Sequence, residues 1–464
     1  MLGRQKKWHE MCLYTRPIGL PEGKVYPSVH DWTSMTDFLT EMNQGPLVVP
    51  HQVERTGIRR GLLEDLALKI LYLNGEMTLV QLSDHLCLSL GVVEEIFQYF
   101  RKERLCEVKG MSGGTHRIAA SMEGRQRAAD LLSLNQYTGA APVSLADYVA
   151  RTKHQSVQST GVRPEQLAEA FEQLVLGDDM LLRVGTAVVS GTSMFLYGPP
   201  GTGKTSIASR VTAIYKDYVW IPYAVEVDNQ IITVFDPGVH RRRLESEIED
   251  SDRRWVLCHR PCVITGGELT GEMLELQFNP VSRYYSAPLQ MKANNGIFVI
   301  DDFGRQRMRP QELLNRWMTA LDQRIEYLSL PGGRKFEIPF DTLVVFSTNL
   351  EPRQLGDDAF LRRIPNKIKV DFASPEQFIK IFRREAEEVR GLPVDEDVLD
   401  FLVDHLQNEI RVPLSQCYAR DLLDQIFWAA RYLNAKPEFN KDLAKWACSN
   451  YFFSGMSTNS AARE

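Results

Sequence analysis

The sequence predicts an α/β fold with a parallel sheet, because three short apolar runs each end in a polar motif. Residues 194–197 lead into a glycine-rich segment at 198–205, residues 297–300 end in two aspartates, and residues 342–348 end in Asn349. Apolar runs of this length are typical of strands buried on both faces. Because the carboxyl ends of parallel strands share one edge of a sheet, we expect the three motifs to lie close together.

The glycine-rich segment reads Gly-Pro-Pro-Gly-Thr-Gly-Lys-Thr and stands between a strand and the apolar start of a helix at 206–211. Glycines let the backbone approach an anion, and loop N–H groups at a helix N-terminus attract phosphate. Lys204 is expected to reach the β- and γ-phosphates of ATP, and the Thr205 hydroxyl to bind Mg²⁺. The expected nucleotide-binding residues are Gly198, Pro199, Pro200, Gly201, Thr202, Gly203, Lys204, Thr205 and Ser206.

The polar ends of the second and third runs supply the expected chemistry. Asp301 is predicted to hold Mg²⁺, mostly through water, and Asp302 to act as the base that polarises an attacking water. The amide of Asn349 is predicted to orient that water and to contact the γ-phosphate. ATP and Mg²⁺ are therefore the expected cofactors, and ATP hydrolysis is the expected reaction.

Arginines follow these motifs at two places. Arg362 and Arg363 lie at the end of an apolar helix, where in a ring one guanidinium can enter the γ-phosphate site of a neighbouring subunit. Beyond Pro375 the apolar spacing predicts four helices, at 378–389, 395–406, 418–433 and 441–453. Arg420 begins the third of these helices and is placed to reach back to the nucleotide.

This ordered set of motifs resembles the AAA+ ATPase superfamily across about residues 164–453. The resemblance implies that 198–205 is Walker A, that Asp301 and Asp302 form Walker B, and that Asn349 is sensor 1. It also implies that Arg362 and Arg363 are arginine-finger candidates and that Arg420 is sensor 2 in a helical lid. The superfamily usually has glutamate as the base. The shorter Asp302 therefore implies slow hydrolysis, or a need for a closed ring.

Two further features resemble the MoxR-like and enhancer-binding branch of that superfamily. A hairpin follows the helix at 310–325 and is turned by residues 331–333, and an insertion at 266–285 precedes Walker B. The insertion carries Phe278, Tyr284 and Tyr285, which either reach into a ring pore or pack beneath it. The Asp-Asp-Phe-Gly ending at Gly304 is similar instead to helicase loaders and transposition regulators, in which the hairpin is not expected.

Residues 60–134 resemble a winged helix-turn-helix domain in the order and length of their elements. Three helices precede two short strands, at 105–109 and 115–119, and a closing helix follows. The third helix carries Glu94 and Glu95 near its start, where contacts to DNA are normally made. Arg101, Lys102 and Lys109 are nevertheless available to phosphates. DNA binding, protein contact and simple packing therefore all remain open for this domain.

The predicted organisation has five parts. They are an extended arm at 1–52, the winged-helix-like domain at 53–134, a Ser/Gln/Thr-rich linker at 135–163, the nucleotide-binding core at 164–372 and the helical lid at 373–464.

Composition limits the class of protein. The 464 residues carry a net charge of -6 and are 44% hydrophobic, without an apolar run long enough for a membrane span, as in a soluble protein. Seven scattered cysteines favour reduced thiols in a cytoplasmic location.

From these features we expect a homo-oligomeric ring, a hexamer, that uses ATP to remodel a protein partner. The alternatives are an ATP-switched DNA-binding regulator and a nucleotide-gated scaffold that hardly hydrolyses ATP.

Overall fold

The computed structural model describes residues 47–243, 251–330, 332–355 and 358–452. Most of the predicted arm, residues 1–46 with the helix expected at 32–42, lies outside the described residues. The predicted helix at 441–453 falls within them except for its last residue.

The first elements build a small helical module with an antiparallel sheet. Its strands have the spatial order β1-β3-β2, and its helices bury Leu63, Phe97 and Phe100 in a common core. The predicted helices, strands and closing helix are confirmed, with one additional strand, β1. The elements are α1 (Arg60–Asn74), β1 (Glu76–Thr78), α2 (Leu79–Leu86), α3 (Leu90–Lys102), β2 (Cys106–Ser112), β3 (Thr115–Ala120) and α4 (Met122–Leu134).

The stretch at 135–163, expected to be a linker, is largely built into the fold. It contains β4 (Val143–Ser144), which pairs with a later strand, and α5 (Leu145–His154), which buries Tyr148. Gln155 is 1% exposed and exchanges hydrogen bonds with the backbone of Trp220. The prediction was wrong because the small and polar residues of this stretch form buried hydrogen bonds, which its composition does not reveal.

Residues 164–300 alternate helices and strands and lead to the two aspartates. The elements are α6 (Pro164–Ala170), α7 (Asp178–Ser190), β5 (Ser193–Tyr197), α8 (Lys204–Val211), β6 (Tyr218–Pro222), β7 (Ala224–Val227), β8 (Gln230–Thr233), β9 (Trp255–His259), β10 (Cys262–Thr265), β11 (Gln277–Phe278), β12 (Tyr285–Ser286), α9 (Leu289–Lys292) and β13 (Gly296–Ile300).

The chain then continues to the end of the central sheet. The elements are α10 (Pro310–Gln323), β14 (Ile325–Ser329), β15 (Lys335–Pro339), β16 (Thr342–Thr348), α11 (Pro352–Leu355), α12 (Asp358–Leu361) and β17 (Asn366–Lys369).

The central sheet is parallel, with the strand order β10-β13-β16-β5-β17. Every residue of β13 and β16 is buried, because helices and other elements cover both faces of the sheet. The predicted α/β fold with a parallel sheet is confirmed.

A second sheet, with the order β11-β12-β8-β7-β4, packs in a separate core with the β6–β9 pair and the β14–β15 hairpin. The predicted hairpin is therefore present. Of the three aromatic residues in the insertion, Tyr285 is buried, and Tyr284 packs edge-on against Tyr137 with ring centroids 5.4 Å apart. Phe278 is 48% exposed. Its ring centroid nevertheless lies 5.0 Å from that of Tyr285, so all three rings have an aromatic neighbour within the subunit and Phe278 is the most exposed of them.

The C-terminal part, described to residue 452, is helical throughout, as predicted. Phe378 and Phe382 lie at the centre of its core, and α13 and α14 each continue into a π-helical stretch. The helices are α13 (Pro375–Arg384), α14 (Glu396–Asp404), α15 (Cys417–Tyr432) and α16 (Lys441–Tyr451). None of the helices in the described ranges has both the length and the apolar character that a membrane crossing needs.

Two consecutive arginines hold the N-terminal module against the rest of the subunit. The buried Arg254 side chain pairs with Asp252 and donates hydrogen bonds to the carbonyl oxygens of Thr56 and Pro142. Arg253 donates hydrogen bonds to the carbonyl oxygen of Ser83, in the last turn of α2, and to that of Leu88, just before α3. These contacts fix the N-terminal module and the stretch at 135–163 to strand β9, which directly follows the two arginines.

Candidate functional site

The three predicted motifs meet at one edge of the central sheet. β16 lies between β13 and β5, with Ile300 opposite Phe346 and Tyr197 opposite Thr348. Since all three strands run in the same direction, their carboxyl ends are level, and each motif begins directly after its strand. The parallel sheet thus brings the glycine segment, the two aspartates and Asn349 together.

The glycine segment has a backbone that side chains would obstruct. Gly198, Gly201 and Gly203 have φ values of 143°, 77° and 87°, and α8 begins immediately afterwards at Lys204. A Cβ on Gly198 would lie 2.3 Å from the carbonyl oxygen of Val370. The loop therefore needs glycine at these positions both for its left-handed conformation and for close backbone packing.

Lys204 lies folded into this loop. Its Nζ donates hydrogen bonds to the carbonyl oxygens of Gly198, at 3.0 Å, and Pro199, at 2.6 Å. Burial lowers the pKa of Lys204, and the nearby carboxylates of Asp302 and Asp301 partly oppose that effect. The cationic head is thus held at the mouth of the loop beside two acidic groups.

The predicted metal-binding pair is in direct contact. The Thr205 hydroxyl donates to the Asp301 carboxylate, with distances of 2.9 Å to Oδ2 and 3.1 Å to Oδ1. A hydroxyl and a carboxylate are oxygen ligands of the kind that Mg²⁺ takes in nucleotide sites. In the described ranges, no group of three or more His, Cys, Asp and Glu side chains is arranged to hold a metal by itself. A magnesium ion here would therefore also need oxygen atoms from phosphate or water.

The predicted base and its amide partner are also in contact. Asn349 Nδ2 donates to Asp302 Oδ1 at 3.1 Å. Asp302 has a φ of 49°, which is uncommon for a residue other than glycine but is tolerated best by aspartate and asparagine. The following Phe303 is buried, and its N–H donates to the carbonyl oxygen of Ser347 at 2.7 Å. The turn after β13 is thus tied to the end of β16.

Arg420 does not reach the glycine segment in this structure. Its guanidinium binds the carboxylate of its neighbour Asp421, and the side chain is 65% exposed. The start of its helix does lie at the loop, because the Cys417 N–H donates to the carbonyl oxygen of Gly201 at 3.1 Å. Helix α15 thus adjoins the site, whereas the predicted sensor arginine points to a neighbouring side chain.

Arg362 and Arg363 follow α12 and differ in their surroundings. Arg362 is exposed. Arg363 is more covered, with a nitrogen 4.0 Å from the Asp322 carboxylate, and its carbonyl oxygen accepts a hydrogen bond from Ser193 at the start of β5. Both arginines belong to the segment that leads into the edge strand β17.

Sequence reasoning missed two sets of contacts at this site. Ser415 and Cys417 lie so close to Gly201 that a Cβ there would stand 2.3 Å from Ser415 Oγ and 2.6 Å from Cys417 Sγ. Gln306 binds the backbone of the turn that carries the aspartates. Neither set has a recognisable spacing, because both depend on how the chain folds back on the loop.

A family model described as a domain of unknown function, DUF8689, matches residues 374–450, which contain helices α13 to α15 and most of α16. The search of curated proteins found no match.

Solved structures with similar folds include two bacterial proteins. A RuvB variant of Thermotoga maritima is 12% identical with a TM-score of 0.35, over 63% of this chain and 72% of that chain. NtrX from Brucella abortus is 14% identical with a TM-score of 0.37, over 60% of this chain and 57% of that chain. A second Thermotoga maritima RuvB variant is 14% identical with a TM-score of 0.34, over 63% and 71% of the two chains.

Proposed function

We propose that this protein binds ATP with Mg²⁺, hydrolyses it, and works as a ring of identical subunits, a hexamer, that remodels a protein partner. The observation that carries the proposal is the pair of contacts at the sheet edge, Thr205 with Asp301 and Asn349 with Asp302. One contact brings together two metal-binding oxygens. The other brings together a base and an amide that can orient water.

The glycine segment would receive the phosphates. Its N–H groups and the N-terminus of α8 direct partial positive charge into the loop, and Lys204 adds a full charge at its mouth. Thr205 and Asp301 would hold Mg²⁺, whose charge would neutralise the phosphate oxygens during transfer. Lys204 would exchange its carbonyl partners on Gly198 and Pro199 for phosphate oxygens, because the phosphate carries charge and the carbonyls do not.

The reacting water would lie beside the Asp302–Asn349 pair. Asp302 would accept a proton from the water as the water oxygen attacks the γ-phosphorus and the bond from that phosphorus to the departing ADP oxygen breaks, and Asn349 would fix the direction of attack. Because the existing amide–carboxylate contact holds both side chains, little reorganisation would be needed when ATP enters. The side chain of Asp302 is shorter than the glutamate that usually serves as this base. We therefore expect turnover to rise when subunits assemble and bring the water within reach of its carboxylate.

We assign the arginine finger to Arg362, because it is exposed at the end of α12 whereas Arg363 is partly covered and lies near Asp322. The resemblance to the MoxR-like branch of the AAA+ superfamily supports the ring arrangement. A guanidinium at a neighbour's γ-phosphate would be worth orders of magnitude in rate.

Mixing two inactive variants tests the ring directly. Asp302→Asn lacks the base but keeps Arg362, and Arg362→Ala lacks the arginine but keeps the base. Each alone should release phosphate slowly. A mixture should recover part of the wild-type rate, since some sites would combine an intact base with a neighbour's arginine. Arg353→Ala, an exposed arginine on the nearby α11, is the control and should leave the rate unchanged.

A mixture no faster than its components would contradict an arginine supplied by a neighbouring subunit. Wild-type protein that forms ATP-dependent assemblies without releasing phosphate would point instead to the nucleotide-gated scaffold.

The DNA-binding alternative is less well supported by the contacts of the N-terminal module. The Ser89 hydroxyl, at the N-terminus of α3, donates to the carbonyl oxygen of Pro50, and a Cβ on Gly91 would lie 2.8 Å from the carbonyl oxygen of His51. Arg253 covers the turn before this helix. The helix end that would read bases is thus packed against the protein's own chain. Salt-sensitive duplex binding, weakened by Lys102→Ala, would nevertheless favour this alternative.

A further inference from the structure

The turn that carries Asp301 and Asp302 has an unusual backbone. Asp302 has a φ of 49° and Gly304 a φ of 108°, so two of its four residues are left-handed. A non-glycine residue in this region costs free energy and persists only when its surroundings hold it there. The direction of the Asp302 side chain depends on that backbone conformation, since φ sets where Cβ points.

The side chain of Gln306 stabilises this backbone conformation. Its Nε2 donates to the carbonyl oxygens of Asp301, at 3.0 Å, and Asp302, at 3.2 Å. Its Oε1 accepts the Gly304 N–H at 2.8 Å. The amide therefore contacts backbone groups on both sides of Phe303 and spans the whole turn.

We infer that Gln306 is a positioning residue that keeps Asp302 directed at Asn349. This inference rests on the proposed ATP hydrolysis. If the side chain were removed, the Asp302 carbonyl oxygen would keep only its bond from the Arg305 N–H, at 3.0 Å, and the turn could relax towards a negative φ. The carboxylate would then swing away from the amide that orients the water. Nucleotide binding would persist, because Gln306 makes its hydrogen bonds to the turn at 301–304 and none to the glycine loop.

An amide is specifically suited to the position. It offers two N–H hydrogens and a carbonyl oxygen at once, and the turn presents two carbonyl oxygens and one N–H. An ionised glutamate could accept from Gly304 but would repel both carbonyl oxygens. A carboxylate has no N–H to donate, so Gln306→Glu should lose both hydrogen bonds to the carbonyl oxygens of Asp301 and Asp302.

The test compares Gln306→Ala and Gln306→Glu with wild type, in full-length protein. Gln323→Ala is the matched control, because Gln323 is exposed at the end of α10. For each variant, kcat and KM for ATP are measured under the same conditions. Hydrogen exchange of the peptide that contains residues 301–306 is measured without nucleotide.

Gln306→Ala should lower kcat on the order of 10- to 100-fold, as expected for a misplaced catalytic group, with KM for ATP within about twofold of wild type. Gln306→Glu should also be slow, because its carboxylate cannot donate to the carbonyl oxygens of Asp301 and Asp302. Gln306→Ala should exchange the Gly304 amide faster than wild type, and Gln323→Ala should match wild type in every measurement.

Hydrogen exchange separates this inference from the proposed function, since it needs no turnover. If wild type does not hydrolyse ATP but Gln306→Ala exposes the Gly304 amide, the proposed reaction fails and the clamp stands. Unchanged exchange in Gln306→Ala, or a wild-type kcat in either Gln306 variant, would overturn the inference.

Discussion

Asn349 Nδ2 lies 3.1 Å from Asp302 Oδ1, so the ends of two neighbouring strands are joined by a side-chain hydrogen bond at the proposed hydrolytic centre. The strands themselves pair in parallel, with Ile300 opposite Phe346. The parallel backbone pairing holds both strand ends at one level, so a substitution in either side chain should leave the backbone in place. Each residue of the site can therefore be tested with little risk to the fold.

Asp302→Asn should remove the base and leave the backbone undisturbed. Asparagine tolerates a φ of 49° as well as aspartate does, so the turn should persist. We expect kcat to fall by about 10²- to 10⁴-fold, the usual contribution of a positioned base, with ATP affinity changed by less than about threefold. Phosphate release and binding of a fluorescent ATP analogue measure the two effects. A variant that loses affinity as strongly as rate would contradict the assignment of Asp302 as base.

Asp301→Asn should act on the metal instead. The neutral amide weakens the attraction for Mg²⁺, so the Mg²⁺ concentration that gives half the maximal rate should rise by about tenfold or more. Titration of phosphate release with MgCl₂ at saturating ATP measures this shift. Thr205→Ala should shift the titration in the same direction, because Thr205 contacts the same carboxylate. A Mg²⁺ requirement that neither variant changes would place the metal elsewhere.

Gly201→Ala should disable the loop by two physical effects. Gly201 has a φ of 77°, and its new Cβ would collide with Ser415 Oγ and Cys417 Sγ, which lie 2.3 and 2.6 Å from that position. We expect ATP affinity to fall by at least about tenfold, because the loop or the start of α15 must move. Gly61→Ala is the control. Gly61 lies in α1 with open space around it, so alanine should be neutral or stabilising by up to about 1 kcal/mol.

The buried His240 should make the stability of the fold sensitive to acid. Burial lowers its pKa to about 4; its Nδ1 accepts the Asp236 N–H at 2.9 Å, and its Nε2 donates to the carbonyl oxygen of Lys292 at 2.8 Å. The unfolded chain binds the proton at higher pH than the folded chain. Stability from the neutral histidine is therefore present above pH 6.5 and is lost as the pH falls towards 4.

The loss should approach about 3 kcal/mol in the free energy of unfolding, since each unit of pKa difference is worth about 1.4 kcal/mol. Urea unfolding of wild type and His240→Gln at pH 7.5, 6 and 5 measures it. The variant, which has no titrating imidazole, should lose less stability over this range. Parallel pH profiles for the two proteins would show that His240 does not carry the effect.

Arg254→Met should loosen the N-terminal module. Arg254 and Asp252 are both about 95% buried, so removal of the arginine leaves a buried carboxylate without its partner. The cost should be about 3–5 kcal/mol in the free energy of unfolding. Arg253→Met removes a side chain that is 47% exposed, so it should lower the free energy of unfolding by less. Thermal unfolding and limited proteolysis near residue 56 measure the difference. Equal and small effects would contradict the role of Arg254 as the anchor.

The sequence was sufficient to predict that the three motifs lie together at one sheet edge, because its signals are local. An apolar run ending in Asp301 and Asp302, or a glycine loop before Lys204, needs no tertiary information to be recognised. The parallel sheet then brings the three motifs together, because the carboxyl ends of its strands share one edge. The same reasoning could not reveal Gln306, whose partners depend on the left-handed turn at Asp302.

The failed linker prediction has a similar physical origin. Gln155 and Ser156 look like linker residues in the sequence, yet Ser156 binds the Asp341 carboxylate, and Asp341 also binds Asn295 at the start of β13. The bond between Ser156 and Asp341 joins residues 185 positions apart. Composition alone cannot distinguish a polar residue in solvent from one that has satisfied partners in a buried network.

Phosphate release from ATP, measured with Mg²⁺ over a range of protein concentrations, tests the central claim most directly. We predict a rate per subunit that rises with protein concentration as subunits assemble, and that Lys204→Ala and Asp302→Asn abolish. A wild type without phosphate release, or a rate that both variants retain, would contradict the assignment of this site as an ATPase centre.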